Sequence, residues 1–149
     1  MINIALFKPD IPQNTAAIIR LCACFKVKVH IIEPCGFNME DARFKRVVMD
    51  YKKLTKIQKY KDFDSFIKKN SNSRIILITT KAKKNYHKFN FEINDMLLLG
   101  RESAGVTEEV HNCIKYKLKV PMQKKTRSLN VSITAAIVLS EALKQNNFF

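Results

Sequence analysis

The sequence predicts an α/β protein: a mainly parallel sheet with helices on both faces, folded as one domain over residues 1–149. Three observations point there. Short, wholly apolar runs such as Ile75–Ile78 and Leu97–Leu99 read as strands buried on both faces. Segments with helical spacing alternate with them, from Pro12–Phe25 to Leu129–Gln145. With 149 residues, 46% of them apolar, the chain can bury roughly two-thirds of its unfolded surface in a single core. No internal repeat, linker or low-complexity segment interrupts the alternation.

Taken in order, Ile2–Phe7 is apolar and β-prone and opens the sheet. Pro12–Phe25 follows with Ala16, Ile19 and Ala23 at helical spacing, and Pro12 suits a first helical turn, where a missing N–H costs nothing. Val27–Ile32, bounded by Glu33 and Pro34, is a second strand. A short helix is expected from about Met39 to Val47, a strand near Leu54–Tyr60, a helix over Phe63–Lys69 and a strong buried strand over Arg74–Thr80. Lys81–Asn94 reads as a polar loop. Met96–Gly100 is another strand, Thr107–Cys113 a short helix, Tyr116–Val120 a strand and Leu129–Gln145 the long final helix.

Composition narrows the function. The apolar runs fall far short of the roughly 20 residues that a membrane-spanning helix needs. MINIALFKPDIP has no cationic stretch ahead of an apolar one, so it reads as a first strand rather than a signal peptide, and a cytoplasmic location is the default expectation. Cys22, Cys24, Cys35 and Cys113 lack metal-ligand spacing and nearby histidine partners, so no metal is expected; Cys22 and Cys24 sit in a helical apolar pattern, as small buried hydrophobes do. The 27 Lys plus Arg against 13 Asp plus Glu give a net charge of +14, which favours a polyanionic partner. The basic residues gather in Arg43–Lys69, around Lys81–Lys88 and in Lys115–Arg127. The plainer alternative is a lysine-rich composition whose side chains merely solvate outer faces.

In a parallel sheet, ligands bind beyond the C-terminal strand ends, which directs attention to Thr79-Thr80, Gly100–Gly105 and Pro121–Asn130. Two of the chain's three glycines fall at Gly100 and Gly105, marking a loop with a demanding backbone. No G-x-G-x-x-G follows the first strand, which argues against a nicotinamide or flavin site. Gly100 and Gly105 have the glycine spacing of a phosphate-binding loop, yet Val106 and Thr107 stand where that motif requires Lys and then Ser or Thr. A Ser–His–acid hydrolase fits poorly, since no G-x-S-x-G is present and His30, His87 and His111 are not suitably placed.

At these loops the sequence resembles the SPOUT methyltransferases, specifically the small group that 2′-O-methylates the wobble nucleotide of tRNA. The resemblance rests on NIALFKPDIPQNTAAIIRLC, HIIEPCGF, LITTK, LLLGRESAGV and VPMQKKTRSLNVS, in order and over almost the whole chain. It implies a deep trefoil knot at the C-terminal end, an exception to the rule that chains avoid knots. It also implies S-adenosyl-L-methionine as cofactor, the anticodon loop of tRNA as substrate, and a homodimer whose active sites lie at the interface. Neither metal nor membrane enters.

Residue by residue, Asn14 and Arg20 match a motif in which Asn is followed six positions later by Arg; that Arg acts on the ribose hydroxyl, often in the neighbouring subunit's site. A guanidinium is a poor base, so Arg20 is expected to bind phosphate and stabilise developing alkoxide. Its place among Ile18, Ile19 and Leu21 argues against simple solvent exposure. Glu102 matches the acid of the second motif, where Gly100 would approach the cofactor; the plainer roles for Glu102 are pairing with Arg101 or capping the next helix. Ser128 and Asn130 match the third motif, with Ser128 alternatively the N-cap of the last helix. Ile78, Thr79, Gly100, Glu102, Val120, Met122, Ser128 and Leu129 correspond to the cofactor-binding positions, with Asn14, Arg20, Glu102, Ser128 and Asn130 as the catalytic set.

The chain departs from the family pattern at Ala16, where Gly is usual, at Cys24-Phe25-Lys26, which lacks a customary Gly, and at Arg101, where Pro is common. Two other readings stay open: methylation of a different tRNA or rRNA ribose, and a SPOUT-like RNA-binding protein without efficient catalysis. The tRNA species, the choice between cytidine and modified uridine, and any need for prior base modification are not encoded in recognisable motifs.

Overall fold

The structure, a computed structural model, describes residues 1–149 apart from the side chains of Met49 and Lys52. Strand β1 (Asn3–Phe7) leads into helix α1 (Pro12–Cys24), then β2 (Val29–Ile32), α2 (Ala42–Lys52), β3 (Ile57–Tyr60), α3 (Phe63–Lys69) and β4 (Arg74–Ile78). A two-residue strand β5 (Lys84–Asn85) and a single 3-10 turn (Tyr86–Lys88) precede β6 (Asp95–Leu99), α4 (Glu108–Cys113), β7 (Tyr116–Lys119) and α5 (Val131–Gln145). All seven strands pair in parallel, in the order β3-β2-β1-β6-β4-β7-β5. The predicted α/β class and parallel sheet are therefore present.

Alternation within the strands sorts the core into two layers. Ile4 and Leu6 of β1, with Leu97 and Leu99 of β6, face α1, α2 and α5. Ala5 and Phe7, with Met96 and Leu98, face the other way, onto Phe66 of α3 and Val110 of α4. Because both faces are covered, these strands read as continuous apolar runs. The edge strand β3 exposes Gln58 and Lys59, polar side chains of the kind that discourage pairing with another sheet.

Several boundaries differ from the sequence reading for local reasons. Lys81–Asn94 is not simply a polar loop: it supplies β5 and buries Ala82, Phe89 and Phe91. Helix α2 starts at Ala42 rather than Met39 because the Asp41 carboxylate accepts from the Arg43 N–H at 2.8 Å. Strand β2 starts at Val29 rather than Val27, since the preceding residues close α1: Val27 N–H donates to the Cys22 carbonyl at 2.9 Å and Lys26 has φ 55°. This is a Schellman cap with lysine at the left-handed position that usually holds glycine. Lys26→Gly is expected to raise stability by about 1 kcal/mol, read as a shift in the urea midpoint. Cys22 is buried as expected, whereas Cys24 on the same helix is exposed, and all four cysteines are free. No helix among the described residues is long and apolar enough to cross a membrane.

Two polar clusters lie inside the sheet layers. Asp95, with no exposed surface, accepts from Arg74 Nε at 2.7 Å and from a terminal Arg74 nitrogen at 2.8 Å. His30, 4% exposed, stacks on Tyr60 and lies with Nδ1 2.7 Å from the Tyr60 hydroxyl, while its Nε2 has no hydrogen-bond partner. Burial, and then the charge of Lys28, push its pKa down from 6.5 to about 4. The unfolded chain thus binds this proton at a higher pH than the folded one. The stabilisation from neutral His30 is complete above about pH 7 and is lost as pH falls through 6.5 toward 4. Urea unfolding at pH 7.5 and 4.5 should differ by roughly 2–3 kcal/mol from this group, a difference that His30→Phe removes.

Candidate active site

A cavity of about 560 Å³ opens beyond the C-terminal ends of β4, β6 and β7, beside the start of α1. Leu77, Ile78 and Thr79 form one wall, the Gly100–Val106 loop a second, and Val120, Met122 and Ser128–Val131 a third. The volume lies within the range of about 300–1,000 Å³ typical of small-molecule sites. Of the residues singled out in the sequence, Asn14, Ile78, Thr79, Gly100, Glu102, Val120, Met122, Ser128, Leu129 and Asn130 all line this one cavity.

The loop after β6 folds back on itself. Arg101 and Gly105 exchange main-chain hydrogen bonds of 3.1 and 2.8 Å, and Gly105 takes φ 68°. A Cβ on Gly100 would sit 2.7 Å from the Gly105 Cα and carbonyl carbon and 2.9 Å from the Val106 nitrogen. The close approach that requires glycine at position 100 is therefore to its own loop, not only to a ligand. Asp10, just past β1, holds the loop from the other side. Its carboxylate accepts from the Glu102 main-chain N–H at 3.1 Å, from Arg101 Nε at 3.3 Å and from the Ser103 hydroxyl. These three donors favour the ionised form of the Asp10 carboxylate.

Glu102 neither pairs with Arg101 nor caps a helix, contrary to its plainer expected roles. Its carboxylate accepts from the Asp10 main-chain N–H at 3.0 Å and from Asn14 Nδ2 at 3.1 Å; the cap of α4 is Thr107. Asn14 Oδ1 in turn accepts from Asn130 Nδ2 at 2.9 Å. Asn130 Oδ1 accepts from the Ser132 and Ile133 N–H groups at 2.8 and 3.4 Å, making Asn130 rather than Ser128 the N-cap of α5. An acceptor-only carboxylate at one end and helix N–H donors at the other fix the orientation of both amides. Each amide NH₂ keeps a second donor that this chain of bonds does not use. The bonds tie together residues 88 and 116 positions apart.

Comparison with known proteins identifies the family. The model of the SpoU rRNA Methylase family matches residues 1–140. The chain belongs to the SpoU methylase family. A tRNA (cytidine(34)-2′-O)-methyltransferase from Beijerinckia indica is 44% identical over 95% of this chain and 90% of its own. The protein of the same name from Escherichia coli is 34% identical over 97% and 94%. A solved structure concerning the 2′-OH methylation of C/U34 on tRNA superposes with a TM-score of 0.93, at 29% identity, covering 99% of this chain and 97% of the other.

In this member of the SpoU methylase family Arg20 stands apart from the other predicted residues. It does not line the cavity of its own chain; it is exposed on α1, with its guanidinium carbon 5.0 Å from the centre of the Tyr51 ring. The expectation that neighbouring apolar residues would keep it from solvent is corrected: Ile18 and Ile19 point into the core and Arg20 points out. Sequence reasoning missed Asp10, the anchor of the glycine loop, and His111 and Thr134, which also line the cavity. Asp10 was findable, as an acid just beyond the C-terminal end of an apolar strand. His111 carried no such signal, because its helix reaches the cavity only through the fold. Among the described residues no cluster of His, Cys, Asp or Glu could hold a metal ion.

Proposed function

We propose that this chain is an S-adenosyl-L-methionine-dependent tRNA 2′-O-methyltransferase acting on the ribose of the wobble nucleotide, position 34, cytidine or modified uridine. The reading is carried by one observation: the Asp10–Glu102–Asn14–Asn130 chain of hydrogen bonds on the cavity wall, in a sequence 44% identical to a tRNA (cytidine(34)-2′-O)-methyltransferase. Family membership supports the same cofactor and reaction class.

The residues present fit the cofactor. The cavity combines apolar surface from Leu77, Leu99, Val106 and Val120, suited to adenine and a methylene chain, with polar edges from Thr79, Glu102, Ser128 and Asn130. Bound there, the group supplies an electrophilic methyl on a sulfonium. The 2′-hydroxyl of the substrate ribose would be the nucleophile toward that methyl, and its proton would pass to solvent water. Gly100–Val106 shapes the wall, and the fixed amides of Asn14 and Asn130 present donors of set direction toward the reacting centre. Arg20 stabilises charge developing on the ribose oxygen in the cavity of a second copy of the chain. This division of labour accounts for an Arg20 that is remote from its own cavity. Ile11, Leu129 and Ile133, 41%, 37% and 51% exposed near the cavity mouth, supply apolar surface for the homodimer. We read residues 1–149 as one domain, with a C-terminal trefoil knot formed where the segment from Val120 to Asn130 meets the glycine loop.

The basic surface, net +14, suits the tRNA backbone, so binding should weaken steeply with salt. The direct test is incubation with labelled S-adenosyl-L-methionine and total tRNA, followed by nucleoside mapping. Label confined to the wobble ribose supports the reading; label at another ribose, or none, refutes it. Asn130→Ala should lower transfer about tenfold and cost about 1 kcal/mol of stability as the helix cap is lost. Asn130→Ser should restore the stability and not the transfer.

A further inference from the structure

Arg20 is well placed to be held without being consumed. Its guanidinium lies 5.0 Å from the Tyr51 ring centre, and among the described residues its side chain enters no hydrogen bond or ion pair. Stacking on an aromatic face fixes the plane of a guanidinium while leaving its five N–H donors directed outward at the edges. A carboxylate partner would hold the same charge in place but occupy those donors.

The ring itself is anchored. Tyr51 is half-buried, packed against the larger core layer in the last turn of α2. Its carbonyl accepts from the Leu54 and Thr55 N–H groups at 3.0 and 3.1 Å, and the Thr55 hydroxyl donates to the Val27 carbonyl at 2.5 Å, tying this turn to the end of α1. The turn that carries the platform is thus tied to the segment that closes the helix carrying Arg20.

We propose that Tyr51 is a positioning residue for the methyl transfer, which holds the Arg20 guanidinium by cation–π stacking with its donors free for the RNA ribose and phosphate. This rests on the role proposed above for Arg20. Tyr51 touches neither cofactor nor reacting atoms.

The test is steady-state kinetics on the full-length protein with tRNA and S-adenosyl-L-methionine for Tyr51→Phe, Tyr51→Leu, Arg20→Ala and the Tyr51→Leu/Arg20→Ala double variant. Tyr51→Leu should lower kcat about tenfold with the cofactor Kd unchanged, and Tyr51→Phe should retain kcat within about twofold, because the π face rather than the hydroxyl is required. The double variant should be no worse than Arg20→Ala alone. A merely structural Tyr51 would give losses that multiply in the double variant, or a lowered melting temperature with wild-type kcat in Tyr51→Leu; either result overturns the proposal. Wild-type kcat in Arg20→Ala would overturn the role of Arg20 itself, and this inference with it.

Discussion

Gly100→Ala is expected to lower methyl transfer by at least about 100-fold, through geometry rather than through any lost functional group. The added Cβ meets main-chain atoms at 2.7–2.9 Å, and main chain cannot swing aside as the end of a flexible side chain can. The loop must open at the Arg101–Gly105 bridge, which carries Glu102 away from Asp10 and Asn14. Gly105→Ala is the informative contrast. Nothing lies within 4 Å of a Cβ there, so the cost is confined to a left-handed φ, about 1 kcal/mol, with much of the transfer retained. Equilibrium binding of labelled S-adenosyl-L-methionine and the melting temperature of both variants check the pair; equal losses would refute the steric account.

Arg74→Met is expected to destabilise the fold by about 3–5 kcal/mol, because it leaves the buried Asp95 carboxylate without its partner. Arg74 also donates to Glu92 at 2.5 Å and to the Asn90 carbonyl at 2.8 Å, and it lies over the rings of Phe89 and Tyr116. Adding Asp95→Asn to Arg74→Met should recover part of the loss, since a neutral amide costs far less to bury than an unpaired carboxylate. Urea titration of the single and double variants measures both numbers. The pair sits at the end of the sheet opposite the cavity, so the cofactor Kd of folded Arg74→Met should match wild type.

Strand–helix alternation was legible because both faces of the sheet are buried: Ile75–Ile78 and Leu97–Leu99 had to be apolar throughout. The cavity was legible because strand ends, scarce glycines and loop polarity fall together at Gly100–Gly105 and Pro121–Asn130. Lys81–Asn94 misled because β5 is an edge strand of two polar residues, and its buried Phe89 and Phe91 are too few to set a period. Ser128 and Asn130 both suit an N-cap, and only the bonds from the Ser132 and Ile133 N–H groups to Asn130 Oδ1 decide between them. Neither the outward direction of Arg20 nor the platform beneath it could be read from local pattern, since Tyr51 lies 31 residues along on another helix.

The hydrogen-bonded wall has a consequence for the order of events during synthesis. Asn14 emerges early, yet its two partners are Glu102 and Asn130, the latter 116 residues later. At about 5–20 residues per second, Asn14 waits between about 6 and about 23 seconds for its last partner to be made. The nascent chain can assemble much of its sheet in that interval but cannot hold its cofactor, so ligand binding reports completion of the polypeptide and stabilises only finished molecules.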